Sequence, residues 1–92
     1  MAIEVRIPTI LRQYTDGQKA VEGDGQTLAE LFDDLETRHP GIKARIVDGD
    51  QLRRFVNVYL NDEDVRFLDG IGTKLSDGDN VTILPAVAGG MV

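Results

Sequence analysis

Few residues in this chain could do chemistry on their own. It contains no cysteine, so no disulfide, thiolate nucleophile or Cys-ligated iron–sulfur centre can form. The one histidine, His39, falls at the end of a predicted helix, where a capping or surface role accounts for it better than base or ligand chemistry. The Ser, His and Asp residues show no catalytic spacing. Asp48–Gly49–Asp50 and Asp77–Gly78–Asp79 resemble calcium loops, but each has too few oxygen ligands and no acid at the twelfth position. Turn chemistry explains both. Gly23 and Gly25 lack a phosphate-binding fingerprint after them, and Asp62–Glu63–Asp64 reads as a hairpin tip. No catalytic group, no metal site and no bound cofactor is expected.

The C-terminal residues differ in kind. Ala86–Val87–Ala88–Gly89–Gly90 is small and uncharged. Glycine has no Cβ, so a Gly–Gly end can thread a narrow channel and approach a reaction centre backbone first. Such a tail suits delivery of a terminal carboxylate into another protein. Frayed termini are common, so Gly–Gly alone is weak evidence. It gains weight from its place directly after the last predicted strand.

The elements that must carry this tail are legible in the apolar pattern. With 92 residues, the chain fits one domain. Ile3, Val5 and Ile7 alternate with Glu4 and Arg6, the period of a half-buried strand, and Pro8 ends its ladder. A polar loop with a turn at Thr15–Asp16–Gly17 leads to a second strand over 19–22. Gly23–Asp24–Gly25 breaks it. Thr27 and Glu30 have capping-box spacing. Leu28, Leu31, Phe32 and Leu35 then form one helical stripe, which Pro40–Gly41 stops. Residues 42–52 read as a connection. A strand follows over 55–60, a turn at Asn61–Asp62–Glu63, and a short return strand over 64–67. Ile71 and Leu75 are candidate core anchors. The last strand spans 81–84 and is ended by Pro85.

This order, strand–strand–helix–strands, argues for an α+β fold. The expected architecture is β-grasp, ubiquitin-like: a mixed sheet of about four to five strands on one main helix. The domain is expected over 1–85, with 86–92 as a flexible tail. Phe55, Tyr59 and Phe67 read either as core or as an exposed, partner-facing sheet surface. Arg12 and Arg66 could also touch partners.

Composition limits the partners. Sixteen acids against ten bases give a net charge of -6. The only basic cluster is Arg53–Arg54, so a nucleic-acid surface is not expected. No apolar run reaches about 18 residues, the span of a membrane helix, and the N-terminus lacks a secretory layout. A cytoplasmic location is the expectation.

The stretch from Asp77 to Gly90, with a D-G-D turn, a final strand, a proline and Gly–Gly, resembles the C-terminal signature of ThiS/MoaD-type sulfur carriers. Residues 55–67 resemble the middle hairpin of the CysO-like branch, and Ile7–Pro8–Thr9–Ile10–Leu11–Arg12 fits the same branch. The resemblance implies a protein cosubstrate rather than an enzyme. An E1-like adenylating partner of the MoeB/ThiF type would use ATP to activate the Gly90 carboxylate, and a sulfur donor would convert it to a thiocarboxylate. Ala86, Val87, Ala88 and Gly89 would thread into the partner. The sulfur would pass to a biosynthetic enzyme: a pyridoxal-phosphate cysteine synthase in the CysO-like branch, or thiosugar, thiamine or molybdopterin enzymes elsewhere. Met91 and Val92 follow Gly90, where the family's active form ends. The resemblance thus implies their removal by a JAMM-type metalloprotease. A ubiquitin-like modifier conjugated through Gly90, and a plain β-grasp interaction module, stay open as alternatives.

Overall fold

Alternation along each short strand decides which face it buries. The computed structural model describes residues 2–54 and 56–85. Strand β1 (Ile3–Arg6) turns Ile3 and Val5 inward and leaves Glu4 and Arg6 exposed. After Pro8 the chain forms a 3-10 helix at Thr9–Tyr14 where a polar loop was expected. The reason is Leu11, which is buried in the core and pulls that turn inward. Asp16 and Gly17 take positive φ of 55° and 82° and return the chain into β2 (Ala20–Gly23). β2 pairs antiparallel with β1, from Ile3 opposite Gly23 to Arg6 opposite Ala20.

Helix α1 (Leu28–Arg38) starts where the capping spacing placed it. The Thr27 side chain accepts from Glu30 N at 3.3 Å. Glu30 answers one residue earlier than a strict capping box, accepting from Gln26 N at 2.9 Å. Both bonds satisfy N–H groups at the helix start. Leu28, Leu31, Phe32 and Leu35 are all fully buried. Gly23 does more than break β2: a Cβ there would lie 2.6 Å from Leu31 Cδ1, so a side chain would force the buried Leu31 to repack.

The connection over 42–52 is structured rather than plain. It contains a short helix α2 (Lys43–Ile46) and a hairpin of β3 (Val47–Asp48) with β4 (Gln51–Leu52). Ile42, Ile46 and Val47 are buried, and this burial holds the segment in place. Its entry is fixed by Glu36, whose carboxylate accepts from Gly41 N at 2.9 Å and Lys43 N at 3.0 Å. Those two bonds, Gly41 first, hold the Glu36 carboxyl below the ordinary range.

Strand β5 (Val56–Leu60) turns into β6 (Glu63–Asp64) through Asn61 and Asp62, whose φ values are 50° and 74°. Two left-handed residues make a type I′ hairpin turn, which Asn and Asp tolerate. The return strand expected over 64–67 stops after Asp64. Val65 is buried, and Asp64 Oδ1 caps Arg66 N at 2.9 Å, so the chain bends into a 3-10 helix at Val65–Phe67. After a further 3-10 turn at Gly70–Gly72, Leu75 is buried and Ile71 packs partly against the core.

Strand β7 (Asn80–Pro85) completes the sheet. It lies in the middle, parallel to β1 and antiparallel to β5, giving the order β2-β1-β7-β5-β6. This five-stranded mixed sheet on one helix is the β-grasp architecture. The Asp77–Gly78–Asp79 turn pins the start of β7: Asp79 Oδ2 accepts from Ser76 N at 2.8 Å, and Asp77 Oδ1 from Ala2 N at 2.8 Å. Asp79 Oδ1 also accepts from Asn61 Nδ2 at 3.1 Å, so both carboxylates are engaged within the fold.

Two outcomes test this account. Phe32→Ala should cost about 3–5 kcal/mol in urea unfolding, because it empties the centre of the helix–sheet contact. Glu36→Gln should be less stable than the parent at neutral pH. A depressed carboxyl stabilises the fold above its unfolded value and loses that contribution as pH falls through the folded value. The gap between parent and variant should therefore close on acidification through the carboxylate range. A gap that is constant with pH would refute the Glu36 cap.

Candidate functional site

The direction of β7 fixes where its continuation must leave. β7 runs parallel to β1, so its C-terminal end lies at the end of the sheet where β1 runs on to Pro8. Pro85 is the last residue described before the tail. The predicted site residues Ala86, Val87, Ala88, Gly89, Gly90, Met91 and Val92, and also Phe55, lie outside the described residues. The structure therefore gives the platform from which the tail departs.

Pro85 sits opposite Val56. Asn61 N donates to Asn80 O at 2.9 Å at the other end of this ladder. Hydrogen-bonded and non-bonded pairs alternate in an antiparallel ladder, which makes Val56–Pro85 a non-bonded pair. The N–H that proline lacks is therefore not required by β5, and β7 can keep its register up to the tail. Val56 O points the other way, to the edge that β6 is too short to cover. There Arg66 takes the place of a strand. Its guanidinium donates to Val56 O, to Arg53 O at 3.2 Å and to Asn57 Oδ1 at 2.6 Å. Asn57 is the partner of Leu84. One side chain thus ties Arg53, ahead of β5, and the start of β5 itself to the β5–β7 pair.

The outer face of the sheet carries a row in register across five strands: Ala20, Arg6, Thr82, Tyr59 and Asp64. Tyr59 is half-buried in this row. Phe67 is 85% exposed in the 3-10 helix after β6. Neither is core, and they do not share a strand. Sequence reasoning did not single out two other apolar residues at the tail's root, Ile10 and Leu84, which are 64% and 44% exposed. The signal for Ile10 was an isoleucine within a stretch read as polar loop.

Two concavities flank this root. One, between the Pro8–Ile10 turn and β7, is lined by Arg6, Ile10, Arg12, Lys19, Leu84 and Pro85 among others. The second lies beside the start of β5 and includes Ile10, Arg45, Leu52, Arg53, Val56 and Arg66. The guanidinium groups of Arg12, Arg45 and Arg53 bond to uncharged acceptors. Arg12 Nε donates to Ile7 O at 3.1 Å, Arg45 Nε to Tyr14 Oη at 2.8 Å, and Arg53 Nε to Ala44 O. Among the described residues, no group of three or more His, Asp or Glu is arranged to hold a metal ion, and no helix is long and apolar enough to cross a membrane.

Comparison with known proteins places this geometry. A family model described as the ThiS family matches residues 5–90. The chain is 55% identical to the sulfur carrier protein CysO of Mycobacterium tuberculosis over 93 residues, covering 98% of this chain and 100% of that protein. It is similar to a chain in the crystal structure of the Amycolatopsis orientalis BexX/CysO complex, with TM-score 0.91 and 60% identity over 97% of this chain and 100% of that one. The crystal structure of M. tuberculosis CysO aligns with TM-score 0.88 and 53% identity, over 92% and 99% of the two chains.

The Arg66 bridge predicts a local effect. Arg66→Gln should lower stability by about 1–2 kcal/mol, the net worth of the bonds it breaks, and should speed hydrogen exchange around the Asn57–Leu84 pair. Unchanged exchange there would show that the guanidinium does not hold the root of the tail.

Proposed function

Because the chain belongs to the ThiS family, we propose that it is a sulfur carrier of cysteine biosynthesis, working through a thiocarboxylate on Gly90. The observation that carries this reading is that the family match runs to residue 90, past a central β-grasp strand described over Asn80–Pro85. The 55% identity to a protein named as the sulfur carrier CysO favours this use over a protein modifier or a plain interaction module.

The chemistry follows from what a carboxylate lacks. It is a poor electrophile, because its leaving group would be an oxide. An E1-like enzyme of the MoeB/ThiF type supplies a better one. A Gly90 carboxylate oxygen attacks the α-phosphorus of ATP, pyrophosphate leaves, and a mixed anhydride with AMP forms. A sulfide sulfur then attacks the acyl carbon and AMP departs, leaving the thiocarboxylate. Its terminal sulfur is the nucleophile that a pyridoxal-phosphate cysteine synthase accepts on an activated serine derivative. The chain is a cosubstrate for these enzymes and is itself no catalyst.

The domain contributes position. Pro85 holds its register on β5 without a ladder bond, and residues 86–90 are small enough to follow a narrow channel. Five extended residues reach about 17 Å, enough to place Gly90 inside a partner while the sheet stays at its surface. Met91 and Val92 block this chemistry, since Gly90 then has an amide in place of a carboxylate. A JAMM-type metalloprotease removes them, and hydrolysis of the Gly90–Met91 bond exposes the reactive group.

Intact mass measurement checks the whole sequence of events. A chain ending at Gly90, incubated with the adenylating enzyme, ATP and sulfide, should gain one oxygen-to-sulfur exchange. The 92-residue chain should stay unchanged until the protease is added. Equal modification of both forms would remove the role of Met91–Val92, and modification of neither would remove the carrier reading.

A further inference from the structure

The charge of this molecule is strongly segregated. Seven of its ten Lys and Arg residues line the two concavities at the root of the tail, against two of its sixteen Asp and Glu, namely Glu4 and Asp48. The ion pairs resolved elsewhere neutralise bases on and beside α1: Arg38 with Asp34 at 2.8 Å, and Lys43 with Asp33. Around the tail the pattern changes. Arg12, Arg45, Arg53 and Arg66 are held by carbonyl, phenol and amide oxygens. Those bonds fix where each guanidinium stands without cancelling its charge. Within this basic ring stand the exposed apolar side chains of Ile10 and Leu84.

We propose that this face docks on a carboxylate-rich rim around the tail-accepting channel of the adenylating enzyme, with Ile10 and Leu84 seated inside that rim. The proposal rests on the carrier reading for the identity of the partner. Charge complementarity carries the rest. A protein of net charge -6 is repelled as a whole by an acidic surface, and only a local reversal of sign around its tail would steer that end inward. Prepositioned arginines suit carboxylates, because the planar fork offers two parallel donors. An apolar centre inside a charged ring is the anatomy of a protein interface. A nucleic-acid partner would meet the repulsion of the other acidic surfaces with no compensating stacking platform of aromatic residues among those that line the two concavities.

The test uses Arg45→Glu/Arg53→Glu, since both residues are exposed and their replacement leaves the core intact. The control is Arg38→Glu/Lys74→Glu, which changes net charge equally but lies outside both concavities. Far-ultraviolet circular dichroism verifies the fold of each. Binding to the adenylating enzyme is measured by calorimetry without ATP, and adenylation by pyrophosphate exchange on chains ending at Gly90. The Arg45/Arg53 variant should bind at least about tenfold more weakly at low salt and raise KM without changing kcat. Binding by the parent should weaken with added salt more steeply than that of the variant. The control should follow the parent. Equal affinities and equal salt slopes for parent and variant overturn the docking face, as does self-association or single-stranded DNA binding through these arginines in place of the enzyme. Binding with these properties but without pyrophosphate exchange would support the docking face and count against the carrier reading instead.

Discussion

The parallel pairing of β1 with β7 is the constraint on which the rest of the molecule depends. It sets Glu4, Val5 and Arg6 beside Asn80, Val81 and Thr82, joining the two ends of the sequence in the middle of one sheet. A parallel pair needs a long crossover between its strands. Here everything from β2 to the Asp77–Gly78–Asp79 turn serves as that crossover, with α1 covering the apolar face. Val81 is buried within this pairing, and Ile83 is buried just beyond it, opposite Val58 of β5. β7 is held on both edges over 80–82 and by β5 alone from Ile83 to Pro85, so the tail departs from a strand anchored in the middle of the sheet.

That arrangement also gathers chain segments that are remote in sequence. The Pro8–Ile10 turn follows β1, Lys19 precedes β2, and Val56 begins β5; all lie at the end of the sheet where β7 finishes. The basic residues cluster there because these segments converge. Arg66 joins them from the 3-10 helix after β6, where the hairpin is too short to cover Val56 and a side chain supplies the missing donor. The short hairpin and the bridging arginine are two halves of one solution to an exposed strand edge.

Legibility in the sequence followed the strength of local signals. The α1 stripe and its Thr27 cap were readable because a period of 3.6 and a capping residue act within a few positions. Alternation gave β1, and the Asp–Gly–Asp turn gave the start of β7. The return strand was overextended to Phe67, since β propensity says nothing of the buried Val65 that bends the chain. The segment over 42–52 read as a connection because its apolar residues, Ile42, Ile46 and Val47, show no regular period. They are buried by contact with α1 and its surroundings, which sequence spacing does not report.

The proposed chemistry is read from the sequence by itself. Without cysteine or a catalytic cluster, it left the Gly89–Gly90 end as the reactive candidate, and small residues with no Cβ or charge are a covalent fact that needs no fold. The main helix, the longer strands and their apolar faces were legible in the same way, by periodicity. Only the tertiary structure decided what surrounds that end. Which arginines share a surface, which strand edge Arg66 closes, and why Ile10 and Leu84 stand exposed together depend on strand order and direction. Those are set by long-range pairing, and no local pattern encodes them.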